Sequence, residues 1–210
     1  MTVKMPNRAI VKDRLVAVLK CSDSIDRKNG RVWYWRARMY CQSITKATYL
    51  TVYPRLAAAV IAALSPGVAW PVNQQQAWDL ILGYRQLKRV DGITVSTYGS
   101  QLRKAVKILT WPRQDILDSE VEEVLGKYAY KTKAFYRNIL YYKTDYESVT
   151  IDRHMLDSIG LDGLRLTAHR YEIISDCIRE LAKQEKLIPN QLQATLWLTW
   201  KRLKKSQNKI

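Results

Sequence analysis

Cysteine is scarce and histidine scarcer: Cys21, Cys41 and Cys177 stand far apart, with only His154 and His169 beside them. No Cys-x-x-Cys pair occurs, so a locally assembled zinc site or four-cysteine iron–sulfur cluster is excluded, and neither metal nor cofactor is expected. The thiols read as reduced and mostly buried. Long apolar runs are missing as well. The longest, residues 56–64, is about half of what a membrane-spanning helix needs, and the polar opening Met1-Thr2-Val3-Lys4 is no secretory leader. A soluble, cytoplasmic protein without membrane contact is expected. There is no internal repeat, no low-complexity tract and no Pro/Gly/Ser-rich linker, so the 210 residues read most simply as one helical domain over residues 1–210.

Acidic residues are also few. Nineteen Asp and Glu face 35 Lys and Arg, a formal net charge of +16, while 47% of residues are hydrophobic and 26% charged. That composition is globular, and the positive excess favours a polyanionic partner, most often nucleic acid. The excess is uneven. Residues 1–50 hold 11 basic and 3 acidic side chains and residues 199–210 hold five and none, so thirteen of the sixteen net charges lie in these flanks.

Apolar spacing is helical almost throughout, and no segment sustains two-residue alternation. Helices are expected over residues 8–19, then 33–44 after a turn at Arg27-Lys28-Asn29-Gly30, then 53–64, apolar on nearly every side and therefore central and buried. Ser65-Pro66-Gly67 stops that helix. Further helices are expected over residues 73–90, ending before Asp91-Gly92, and over 98–109, 118–125, 130–140, a short stretch after Asp152, 167–187 and 190–204. The fold class is all-α, with a cleft between two helical lobes.

Two stretches carry chemistry. The first, Leu125-Gly126-Lys127-Tyr128-Ala129-Tyr130-Lys131-Thr132-Lys133-Ala134, joins an acidic helix to a basic one through a glycine-containing turn. Backbone amides at such a helix start bind phosphate, and Lys127, Lys131 and Lys133 add charge. The second, Ser148-Val149-Thr150-Ile151-Asp152-Arg153-His154, is an apolar approach to an Asp placed to cap a helix.

The order of these elements resembles the helix-hairpin-helix base-excision DNA glycosylases, the endonuclease III and adenine glycosylase group. Their buried early helix ends in Leu-Ser, as at Leu64-Ser65, and the next opens near an Asn, as at Asn73. A Tyr-led basic helix follows, as at residues 98–109, then an acidic helix ending in Leu that runs into a hairpin. The family's hairpin reads Leu-Pro-Gly-Val-Gly-x-Lys-Thr-Ala; Leu125, Lys131 and Thr132 match it without a gap. Gly126, Lys127 and Ala129 replace its Pro and two glycines. The catalytic Asp of that family stands in a Val-Asp-x-His context, which Ile151-Asp152-Arg153-His154 resembles. The likeness spans residues 53–156, with the hairpin at residues 118–140, and leaves residues 1–50 and 199–210 as basic flanking helices. Short phage and bacterial proteins with Ala-Leu-Ser-Pro, Lys-x-x-Ala-Phe-Tyr-x-Asn and Thr-Ile-Asp-x-His series are similar too, as at Ala63 to Pro66, Lys131 to Asn138 and Thr150 to His154.

The resemblance implies a monomeric, nucleoid-associated protein that binds double-stranded DNA and hydrolyses the N-glycosidic bond of a damaged or modified base. Asp152 would be the carboxylate that stabilises an oxocarbenium-like sugar. Lys131, or alternatively Lys133, would attack the sugar carbon and permit strand cleavage. Lys127, Tyr128, Lys133, Arg153 and His154 would contact DNA, while Trp70, Asn73 and Tyr136 would wall the flipped base. Bland readings stand beside each: an N-cap for Asp152, phosphate contacts for the lysines, packing for the aromatics. A non-catalytic DNA-binding or anti-defence protein is the alternative from another class.

Overall fold

The computed structural model describes residues 4–49, 51–87, 94–112 and 115–207 and is all-α, with no strand among the described residues. In chain order the helices are α1 (Arg8–Lys20), α2 (Ser24–Ala47), α3 (Pro54–Leu64), α4 (Trp70–Leu87), α5 (Gly99–Leu109), α6 (Asp118–Leu125), α7 (Tyr130–Leu140), α8 (Arg153–Ser158), α9 (Ala168–Gln184) and α10 (Pro189–Gln207). They divide into two compact units, one formed by Met1–Trp35 with Tyr141–Ile210 and the other by Arg36–Leu140. The expected end of the fourth helix at Val90 lies outside the described residues.

The Arg36–Leu140 unit is built on α3. Pro54 occupies its first turn, where a missing N–H costs nothing, and every residue from Leu56 to Leu64 is buried. Helices α4, α5 and α7 pack around it, as expected for a helix apolar on nearly all sides. Truncating Ile61 or Leu64 to Ala would cost about 2–5 kcal/mol in such a core. The helix ends at Ser65, whose N–H reaches Ala62 O at 3.2 Å, and the chain turns through Gly67 at φ +75°. Helix α4 then begins at Trp70, three residues earlier than its periodicity suggests, with Pro71 in its first turn.

The other unit packs α1 against α9 and α10, and α10 against α8 and α9. Asn7 caps α1 by accepting from the Ile10 N–H at 3.0 Å, and Val11, Leu15, Val18 and Leu19 form its buried stripe. Thr167 caps α9 by accepting from the Arg170 N–H. Across the surface of α1 and α9, Arg8 pairs with Asp176 and Glu180, and Lys12 with Glu180.

One expectation is overturned in this unit. Arg27-Lys28-Asn29-Gly30 is not a turn: α2 runs unbroken from Ser24 to Ala47. Its start is a reciprocal cap in which Asp23 Oδ1 accepts from the Asp26 N–H at 2.7 Å and Asp26 Oδ2 from the Asp23 N–H at 3.3 Å. Gly30 is required for proximity rather than for a bend. A Cβ there would lie 2.1 Å from Thr195 Oγ1 and 2.7 Å from the Thr195 Cα and N, so the missing side chain lets α2 press onto the backbone of α10. Beside this contact, Tyr34 is buried and its hydroxyl donates to Gln193 Oε1 at 2.8 Å.

Candidate nucleic-acid interface

The acidic helix α6 gives way to α7 through the four residues 126–129. Gly126 ends α6 at φ +103°, a conformation that side-chain-bearing residues rarely adopt, while its N–H still reaches Glu122 O at 3.1 Å. Ala129 N–H closes the turn on Gly126 O at 3.2 Å. Lys104, from α5, donates to Leu125 O at 2.6 Å. It satisfies one of the carbonyls that a helix C-terminus leaves unpaired and places a cation at the negative end of the helix dipole. Nothing in the sequence marks Lys104, because its partner lies 21 residues away.

Lys127 and Tyr128 project from this anchored turn. Tyr128 is 74% exposed, the Lys127 ammonium lies 5.6 Å from the centre of its ring, and Tyr130 meets it edge-on at 6.4 Å. Lys131 and Lys133, both half-buried, follow in the first turn of α7. Lys127 and Lys133 form no ion pair among the described residues. Three of the expected contact residues, Lys127, Tyr128 and Lys133, therefore lie here with Lys131, the expected nucleophile, whereas Arg153 and His154 belong to the other unit. The chemistry of the set suits a phosphate backbone, with cations for charge and an exposed ring for a sugar or base edge.

Asp152 lies in the other unit and has a different environment. Val149, Thr150 and Ile151 are buried ahead of it. The Tyr171 hydroxyl ties this segment down, donating to Val149 O at 2.6 Å and accepting from the Ile151 N–H at 3.2 Å. Burial pushes the Tyr171 phenol well above its ordinary pKa, so it stays a neutral donor. The half-buried Asp152 carboxylate then makes two bonds: Oδ1 accepts from the Met155 N–H at 2.9 Å and caps α8, and Oδ2 accepts from Trp197 Nε1 at 3.0 Å. Asp157 repeats the arrangement at the far end of α8, accepting from Trp200 Nε1 at 3.2 Å and from Lys204. Two indoles of α10 thus grip the two ends of α8. Periodicity reads Trp197 and Trp200 as packing residues; their polar use was visible only with α8 in place.

His154 is half-buried, with its ring edge-on to Trp197 at 6.3 Å, and Arg153 is exposed. Asp152 and Lys131, paired in the glycosylase reading, belong to different units. The base-pocket residues all fall in the Arg36–Leu140 unit. Tyr136 is fully buried, its hydroxyl donating to Asp118 Oδ1 at 2.6 Å, and Asn73 is buried with Nδ2 donating to Ile61 O at 3.1 Å. Neither presents a face on which a base could stack. Trp70 is half-buried between Phe135 and Tyr40, with ring centres at 6.1 and 6.5 Å. Cys41 and Cys177 are buried free thiols and Cys21 an exposed one. Among the described residues no group of His, Cys, Asp or Glu could hold a metal ion, and no helix is long and apolar enough to cross a membrane.

The chain belongs to the DUF7178 family, a family of unknown function, which it matches over residues 2–204. No curated protein and no solved structure matches it.

Proposed function

We propose that this member of the family binds double-stranded DNA as a clamp on the phosphate backbone. The observation that carries the reading is the α6–α7 turn, where Lys127 and Tyr128 protrude from a glycine-ended helix and Lys131 and Lys133 follow within one turn. Its position in the chain is the hairpin position of the resemblance, and the net charge of +16 supplies the long-range attraction. In this reading Asp152 positions α8 and is not a catalytic residue. The test is binding of the full chain to a fluorescent duplex across a salt series. Lys127→Gln with Lys133→Gln should lower the steepness of log K against log salt by about 1.8, roughly 0.9 per lost phosphate contact. An unchanged slope overturns the reading.

A second reading is base hydrolysis by a DNA glycosylase, favoured by one feature: Asp152 is a rigidly held carboxylate in the Ile-Asp-x-His context, still partly open to solvent. Release of free base from lesion-bearing or cytosine-modified duplexes, abolished by Asp152→Asn, would select it over the clamp. If the wild-type chain releases no base from any such duplex, the clamp stands alone.

A further inference from the structure

We infer that α10 carries a second duplex-DNA contact, independent of the α6–α7 turn and contributed by the other unit. The inference rests on the DNA-binding reading and extends it to a surface outside the segment that resembles a glycosylase. Near the C-terminus of α10, Lys201, Arg202, Lys205 and Ser206 line an open cavity of about 400 Å³. Lys201 and Lys205 are four residues apart and so share one helix face. Both are exposed, and neither forms an ion pair among the described residues.

The other two cations of this helix end are already used. Arg202 is held by Asp26 at 2.7 Å, by Asp23 at 3.2 Å and by Cys21 O at 2.7 Å, and Lys204 is bound to Asp157. The surface therefore presents two uncompensated ammonium groups over a braced floor. Lys201 is itself positioned, its ammonium 4.2 Å from the centre of the Trp197 ring, and that ring is fixed by Asp152 and flanked edge-on by Trp33 at 6.1 Å.

The charge of this surface fits a polyanion, and its packing favours a phosphate backbone over a lipid surface. Lys201 and Lys205 are exposed and face no carboxylate among the described residues, so this part of the helix end is complementary to a polyanion. The apolar side of α10, with Leu192, Ala194 and Leu196, is buried in its own unit. Nearer the patch Leu198, Trp200 and Leu203 are half-buried, and no large apolar side chain of α10 is exposed among the described residues, so the helix offers no open apolar face of the kind an interfacial helix lays into a bilayer.

The experiment titrates the full chain against a fluorescein-labelled 20-base-pair duplex between about 50 and 200 mM salt, the range over which phosphate contacts are resolved. Lys201→Gln/Lys205→Gln is compared with Lys127→Gln/Lys133→Gln and with the four-site variant. Each double variant should lower the slope by about 1.8, and the four-site variant by about 3.6, since each lost contact removes roughly 0.9. At 0.1 M salt a loss of 1.8 in slope corresponds to affinity lower by on the order of 60-fold. Of the four substituted lysines, Lys127, Lys201 and Lys205 are exposed and Lys133 is half-buried, and an unchanged far-ultraviolet circular dichroism melt certifies the fold. If the turn variant lowers the slope and the α10 variant does not, this inference fails while the clamp reading survives. If neither does, or if the wild type does not bind duplex, both fail. Binding of the wild type to phosphatidylserine vesicles, lost in the α10 variant while its duplex slope stays at the wild-type value, would also overturn the assignment.

Discussion

Asp152 separates a structural carboxylate from a catalytic one, and Asp152→Asn makes the separation measurable. The carboxylate does two jobs with two oxygens: Oδ1 caps α8 through the Met155 N–H at 2.9 Å and Oδ2 receives Trp197 Nε1 at 3.0 Å. Asparagine is as good an N-cap as aspartate, but its amide has only one oxygen. With that oxygen on the Met155 N–H, an NH2 group faces the indole N–H; with the amide flipped, the indole is satisfied and the cap is lost. One bond must go in either arrangement. A hydrogen bond to a charged group contributes about 1.5–3 kcal/mol, and half-exposure places this one near the lower end, about 1.5 kcal/mol. For a chain of this size that is a fall of roughly 3–6 °C in melting temperature. Asp152→Ala removes the cap as well, about 1 kcal/mol more. Thermal and urea melts followed by circular dichroism and tryptophan fluorescence give these values, and duplex affinity measured well below the melt should stay within about twofold of wild type. A melt of Asp152→Asn superimposable on wild type would refute the structural role, and superimposable stability with abolished base release would place Asp152 in a catalytic site.

Gly30→Ala should destabilise by about 1–3 kcal/mol, because the new methyl meets the Thr195 backbone at 2.7 Å and overpacking outweighs the helix-propensity gain of about 1 kcal/mol; a raised melting temperature would show that the α2–α10 contact is looser than described. Thr195→Ala should not rescue it, since the clash with the Thr195 Cα and N remains. Gly126→Ala meets Lys104 Nζ only at 3.6 Å, so its cost is backbone strain of about 1–3 kcal/mol at φ +103°. That cost, read in the melt, should come with weaker duplex binding as the turn distorts. Acid should destabilise the Met1–Trp35 with Tyr141–Ile210 unit through Asp26. Burial alone would raise the Asp26 pKa, but hydrogen bonds from Arg202 and the Asp23 N–H, with the Arg202 charge, hold it below its ordinary value. A lowered native pKa gives stability that is present above the unfolded value, about 3.9, and lost as pH falls through the native one. Urea midpoints from pH 6 to pH 2.5 should therefore drop below about pH 4, and Asp26→Asn should lower the neutral plateau and flatten that drop; parallel curves for the two proteins would exclude the Asp26–Arg202 pair as its source.

What the sequence made legible was local. Asp152 as a cap and the all-apolar stretch from Leu56 to Leu64 each act within a turn or two of their own positions, and the helices formed there. Misread features depend on distant partners. An Asn-Gly pair ordinarily marks a turn, yet Asn29-Gly30 continues a helix because Thr195 needs the space, and that need is invisible without α10 beside α2. The same holds for Lys104, whose acceptor is a carbonyl on another helix, and for Trp197 and Trp200, whose apolar spacing hid two indole donors. Tyr136 and Asn73 illustrate the converse: residue types suited to a base pocket were placed by their own helices in the core, where the hydroxyl and the amide serve α6 and α3.

Net charge counts a cation the same whether or not a carboxylate sits against it, and in this protein the difference is large where the excess is greatest. Arg8 and Lys12 lie against Asp176 and Glu180, Arg27 against Glu185, Arg202 against Asp23 and Asp26, and Lys204 against Asp157. Apart from Arg202–Asp26, whose carboxylate is buried, these exposed pairs add little stability, at most about 1 kcal/mol each, but every one of them is nearly neutral to a polyanion more than a Debye length away, about 8–10 Å at moderate salt. The basic flanks are thus partly consumed in joining α1, α2 and α8 to α9 and α10. Lysines that lack such a neighbour have the greater effect on a phosphate backbone, and Lys127 and Lys133 at the turn and Lys201 and Lys205 on α10 are of this kind. Net charge alone does not single these lysines out: Lys127 and Lys133 lie outside the basic flanks, and Lys201 and Lys205 are only part of the tail's excess.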